Sequence, residues 1–244
     1  MTEKITLTEM TVKRLLKDVK EIMKNPLISQ GIYYQHDESD LLKGYAMIIG
    51  PSETPYFGGF YFFTFDFPAN YPFSPPIVKY YTNDGVTRFN PNLYKNGKVC
   101  VSVLNTWMGE QWTGCQTISS VLLTICTLLC KNPLLNEPGI KEHDGDIEKY
   151  NQIIAYKNLD VAICQMLLKS TFFNNLLFER FYQNMVEYFM NNFDSILNNA
   201  TILYKKHPKP YIQTNNIYHM SIMIDFRDVV DKLTKVKENL EPKV

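Results

Sequence analysis

The chain has 244 residues, 45% hydrophobic and 14% aromatic, enough for one large domain, or a domain with an appendage, around a full core. Its 25 basic and 25 acidic side chains cancel, so no global field draws it to nucleic acid; residues 1–9 lack the apolar core of a signal peptide, and no apolar run approaches the roughly 18 residues of a membrane span. Five cysteines without a C-x-x-C pair argue against a zinc ribbon or a disulfide framework and for a reducing, intracellular setting, cytoplasmic or nuclear. Taken in order, Thr6-Leu7-Thr8-Glu9 fits a capping box, and Val12, Leu15, Leu16, Val19, Ile22 and Met23 then repeat at helical steps until Asn25-Pro26. Lys13, Arg14, Lys17, Lys20 and Lys24 occupy the other side of that helix, as a solvated face or as a docking stripe for an acidic partner. Candidate strands at 32–35, 45–49, 60–67 and 77–81, punctuated by Gly50-Pro51, Thr54-Pro55 and Gly58-Gly59, are spaced for an antiparallel meander. Tyr71-Pro72-Phe73-Ser74-Pro75-Pro76 is a stiff turn that presents Phe73 either to a partner or beneath the sheet.

Further along, Thr117 opens a helix whose Ile118, Val121, Leu122, Ile125, Leu128 and Leu129 share a face. Cys126 and Cys130 lie four apart on it, but no histidine or acid completes a ligand set, so they read as core and no metal is expected. Helices are expected at 146–169 and 174–198, a Pro-containing linker at 205–211, and a last helix at 221–240.

The chemistry concentrates between Arg88 and Leu104. Pro91 stiffens the approach to Asn92, and Asn96-Gly97 tolerates the positive φ of a tight turn, so the chain can double back and bring Cys100 to the Asn92 amide. An amide N–H beside a thiol can stabilise an oxyanion in acyl transfer; the competing reading is a buried cysteine entering a strand. The four histidines are scattered, none near Cys100 in sequence, and there is no phosphate-binding glycine loop. A thiol with an ordinary pKa of about 8.5 and no imidazole base suits an acyl group that arrives already activated better than it suits an amide. These residues favour an acyl carrier over a cysteine hydrolase.

The basic first helix, Gly50-Pro51-x-x-Thr54-Pro55-Tyr56-x-Gly58-Gly59, Tyr71-Pro72-x-x-Pro75-Pro76, Phe89-Asn90-Pro91-Asn92, Gly97-x-x-Cys100, Trp112 and Thr117-Ile118-Ser119-x-Val121-Leu122 stand in the order found in ubiquitin-conjugating enzymes. Over roughly residues 10–170 the chain resembles that family, most of all its large Z-type branch, where Asn-Pro-Asn replaces the usual His-Pro-Asn. The resemblance implies an α+β UBC fold: an N-terminal helix, a four-stranded antiparallel meander, a central helix and C-terminal helices. It also implies a core at 1–170 and a helical extension at 171–244. It implies that an activating enzyme, which itself consumes the ATP, loads ubiquitin or a ubiquitin-like protein on Cys100, and that a lysine or a HECT-ligase cysteine then takes it; no cofactor is expected on this chain. Asn92 would stabilise the oxyanion or hold the loop, Asn136 would gate the site, and Leu104 would support it. Lys13, Arg14 and Lys17 match the face that docks the activating enzyme, and Phe73 the contact for a RING or HECT ligase, although Thr113-Gly114-Cys115 departs from the family's second ligase contact. A catalytically silent scaffold of the same fold is the alternative.

Overall fold

The computed structural model describes residues 7–169 and 176–241. By packing, the chain forms two units, one from residues up to 48 with 62–81 and 92–128, the other from 49–61, 82–91 and the residues from 129 on.

In the first unit, α1 (Glu9–Lys24) starts where Thr8, in extended backbone, accepts the Thr11 N–H on its hydroxyl at 3.1 Å. The expected capping box began at Thr6, which lies outside the described residues. The cap in place is Thr8, with the Thr11 hydroxyl 2.9 Å from its own. The helix ends at Asn25, ahead of Pro26. Leu15 and Ile22 are its buried apolar side chains, and it packs on β1 and on α2 (Ile118–Leu128). β1 (Ile32–His36), β2 (Lys43–Ile49), β3 (Phe60–Asp66) and β4 (Ile77–Tyr80) form an antiparallel sheet in sequence order, the expected meander. Ile32 faces Ile48, and Phe63 faces Tyr80. β2 and β3 are buried along nearly their whole length, which explains their unbroken apolar runs; β4 alternates, with Val78 and Tyr80 inward and Ile77 and Lys79 outward, as an edge strand does.

In the second unit, the 50–59 loop closes through Gly50 N–H to the Gly59 carbonyl (2.8 Å) and Gly58 N–H to the Gly50 carbonyl (3.0 Å). A Cβ on Gly59 would lie 1.9 Å from the Asn158 side-chain oxygen, so that approach requires glycine. α3 (Asp146–Lys157) does not continue as α-helix to 169; it widens into a π-helical run, Asn158–Gln165. The residues that widen it hold partners elsewhere: Asn158 bonds the Tyr61 hydroxyl (2.6 Å) and the Phe57 carbonyl (2.9 Å), and Asp160 pairs with Lys232 (2.8 Å). The helix expected at 174–198 is a 3-10 turn, Leu176–Phe181, followed by α4 (Tyr182–Lys206); residues 174 and 175 lie outside the described residues. The last helix starts later than expected. Residues Tyr211–Asn215 (β5) and Met220–Ile224 (β6) form an antiparallel hairpin, and α5 (Phe226–Leu240) follows an Asp225 cap. α5 packs on α4 and on the π-helical run, so segments from both sides of residue 170 share this unit.

Candidate active site

The loop from Asn92 to Cys100 is a tight hairpin. Leu93 and Val99 form a β-bridge, the Cys100 N–H donates to the Asn92 carbonyl at 2.9 Å, and Gly97 makes the turn at φ +87°. The doubling back expected from Pro91 and Asn96-Gly97 is therefore present. The Asn92 side-chain amide donates to the main-chain carbonyl of Cys100 at 2.7 Å. This bond ties down the backbone that carries the thiol. Of the two roles open to Asn92, it supports the holding of the loop. The next turn is fixed by Thr106, whose hydroxyl accepts the Val101 N–H (2.9 Å) and reaches the Val99 (2.8 Å) and Val101 carbonyls. Cys100 itself is only 2% exposed. Leu104 ends a 3-10 turn, Ser102–Leu104, is buried, and lines a groove of about 290 Å³ with Ile77, Lys79, Lys98 and Val99. Trp112 donates its indole N–H to the Pro72 carbonyl at 2.7 Å and props the turn whose Phe73 is 68% exposed, so Phe73 faces outward rather than under the sheet.

In the second unit, the residues just before Asn92 are held as firmly. Asn90 donates its amide to the Tyr56 hydroxyl (2.9 Å), which donates to the Phe89 carbonyl (2.7 Å), and all of these are buried. Asn136 closes a 3-10 turn, Pro133–Asn136, in this unit; its side-chain nitrogen is buried with no hydrogen-bond partner among the described residues.

A family profile described as ubiquitin-conjugating enzyme matches residues 14–159, a span that holds the Asn92–Cys100 hairpin. The chain belongs to the ubiquitin-conjugating enzyme family. It is 45% identical over 159 residues to ubiquitin-conjugating enzyme E2 Z of Xenopus tropicalis, covering 64% of this chain and 50% of that protein. The Homo sapiens E2 Z is 45% identical over 157 residues, 63% of this chain and 44% of that protein. "Probable ubiquitin-conjugating enzyme protein 17" of Caenorhabditis elegans is 40% identical over 172 residues, 64% of this chain and 23% of that one. The chain thus matches about half the length of its E2 Z relatives, and the family span stops before α4, the β5–β6 hairpin and α5.

On α1, the three cations expected to form a docking face, Lys13, Arg14 and Lys17, differ. Lys13 pairs with Glu9 at the surface. Lys17 is exposed, with no ion pair among the described residues, and shares a shallow depression with Met10 and Lys13. Arg14 is turned inward: its guanidinium bonds Asp18 at 3.0 Å, the Gln116 carbonyl at 2.6 Å and the Gly114 carbonyl, so it joins α1 to the segment before α2. The other cysteines separate cleanly. Cys115 is exposed, burial pushes the Cys126 and Cys130 thiols up, and Cys164 is buried with its thiol pushed far up, first by burial and then by the Asp160 carboxylate. Sequence reading missed Thr106 and the grip of Arg88 on the Asn90 and Pro91 carbonyls (3.1 and 2.6 Å). Arg88 is two and three residues from those carbonyls in sequence, and that spacing is the available signal.

Proposed function

We propose that this chain accepts ubiquitin, or a ubiquitin-like modifier, from an activating enzyme as a thioester on Cys100 and passes it to a lysine amine or to a ligase cysteine. The Asn92–Cys100 hairpin carries the reading, because it presents one cysteine on a backbone braced by a carboxamide and a threonine hydroxyl, inside the family span. The thiol attacks the activated carbonyl of the modifier's C-terminal glycine. The tetrahedral intermediate expels the activating enzyme's thiolate, and the acceptor amine later repeats the exchange with loss of a proton to solvent. Exposed Lys17, with Lys13, suits the activating enzyme; Phe73 suits a ligase; Asn136, with an unmet amide donor, suits a gating contact but no base, since an amide cannot take a proton.

The 2% exposure of Cys100 favours a second reading, a weak or silent scaffold of the same fold. Incubation with activating enzyme, ATP and a panel of modifiers separates the two. The carrier forms a reductant-sensitive adduct that Cys100→Ala abolishes; the scaffold forms none with any pairing.

A further inference from the structure

The Asn90-Pro91 turn is gripped from far along the chain, within the second unit. Arg88 carries the grip. Its guanidinium donates to the Asn90 carbonyl (3.1 Å) and the Pro91 carbonyl (2.6 Å). Its own N–H meets the Met220 sulfur at 3.3 Å, and its own carbonyl accepts the Tyr150 hydroxyl at 2.7 Å. The guanidinium lies over the Tyr218 ring, 5.3 Å from the centroid, and the Tyr218 ring sits tilted beside Tyr150, 5.8 Å between centroids. Tyr218 is itself fixed at both ends: its N–H donates to the Asn215 side chain at 3.1 Å, and its hydroxyl donates to the Glu137 carboxylate, next to Asn136. His219, the following residue, is in left-handed backbone at φ 51°, a conformation that persists only where the surroundings over-determine it. The turn of the β5–β6 hairpin therefore ends in an aromatic platform under Arg88.

We propose that Tyr218 is a positioning residue for the Asn90-Pro91-Asn92 turn, acting through Arg88. A guanidinium bridging two consecutive carbonyls fixes the peptide planes on both sides of Pro91, and Asn92 follows Pro91 directly. The ring holds the planar guanidinium by cation–π contact, so only the pair fixes the orientation. The hairpin lies beyond the family span, so the stiffness of the turn would be set from outside the matched segment. The inference rests on the proposed roles of Cys100 and Asn92.

Two readouts test it. Hydrogen exchange across residues 88–100 needs no activity. Tyr218→Leu and Arg88→Lys are each expected to speed exchange there several-fold, whereas Tyr218→Phe, which keeps the ring and its backbone bond to Asn215 and gives up only the Glu137 contact, stays near the parent rate. Single-turnover discharge from pre-loaded protein is expected to slow roughly tenfold in Tyr218→Leu and in Arg88→Lys, no further in the double variant, and hardly at all in Tyr218→Phe. Parental exchange and discharge in both Tyr218→Leu and Arg88→Lys would overturn the proposal, as would effects that add in the double variant or a Tyr218→Phe as slow as Tyr218→Leu. If the parent forms no thioester, the carrier reading falls, while the exchange pattern still decides whether Tyr218 stiffens the turn. Should Tyr218→Leu fail to fold, Arg88→Lys probes the same grip from its other end.

Discussion

An amide that donates to a main-chain carbonyl makes a demand different from one that donates only to a transient oxyanion. Asn92 is buried and its nitrogen is spent on the Cys100 carbonyl, so Asn92→Ala leaves that carbonyl without its donor, at a cost of about 1–3 kcal/mol. Loading and discharge are both expected to slow, by about tenfold each; loss of discharge alone would show an oxyanion role instead. Asn92→Asp keeps the shape but turns an acceptor toward the carbonyl, and should be worse than alanine in thermal stability. A second residue-scale expectation concerns His36. Its Nε2–H donates to the Leu41 carbonyl (2.9 Å), which can only accept, and in the neutral ring its Nδ1 accepts from the Tyr34 hydroxyl (2.8 Å). Burial lowers its pKa, opposed by the Leu41 carbonyl and by the Asp37 and Asp40 carboxylates. The folded value lies below the unfolded one, so the stability is present above about pH 6.5 and is lost as pH falls through the folded value. An NMR titration of His36 should give a midpoint below 6.5; a midpoint above it would contradict this.

At the scale of elements, α1 shows how one basic face divides its work. Arg14→Ala strips two carbonyls of this donor and leaves the buried Asp18 the Tyr71 hydroxyl but no cation, and should cost about 2 kcal/mol and several degrees of melting temperature. Lys17→Ala should leave melting unchanged and slow charging by the activating enzyme. The reverse pattern would reassign the two. Much of this level was legible beforehand. The four strands announced themselves through Gly/Pro punctuation, and α2 through its apolar face. Three features were hidden, each for a physical reason. The π-helical run looks helical in sequence because its apolar residues suit any wide turn; only the partners of Asn158 and Asp160 decide it. The β5–β6 hairpin is hidden because residues 212–220 carry no clear signal and Ile222 continues the helical spacing of Phe226, Val229 and Val230, while the alternation of Met220, Ile222 and Ile224 runs for just five residues. Tyr218 could not be found at all, since nothing local ties it to Arg88.

For the whole molecule, the cysteines differ in their environments. Cys115 is exposed, Cys100 is buried, and Cys164 is buried with its thiol pushed far up. Alkylation of the folded protein should follow that order, and a Cys100 as inert as Cys164 would favour the scaffold. Removing residues from 170 on would strip Ile196 from Gly58 and Tyr188 from Phe60, exposing apolar surface in the second unit, so the shortened chain should lose cooperative unfolding. The site proved legible where its parts were close in sequence, as Asn92, Pro91 and Cys100 are, and illegible where the fold alone brings them together. The decisive measurement is peptide mapping of the adduct formed with activating enzyme, ATP and ubiquitin. Chance acylation would mark exposed Cys115, whereas a built site should place the modifier's terminal glycine on Cys100. A reductant-labile glycyl thioester on Cys100 alone is the expected result; a modifier on Cys115, or on none of the five cysteines, would contradict it.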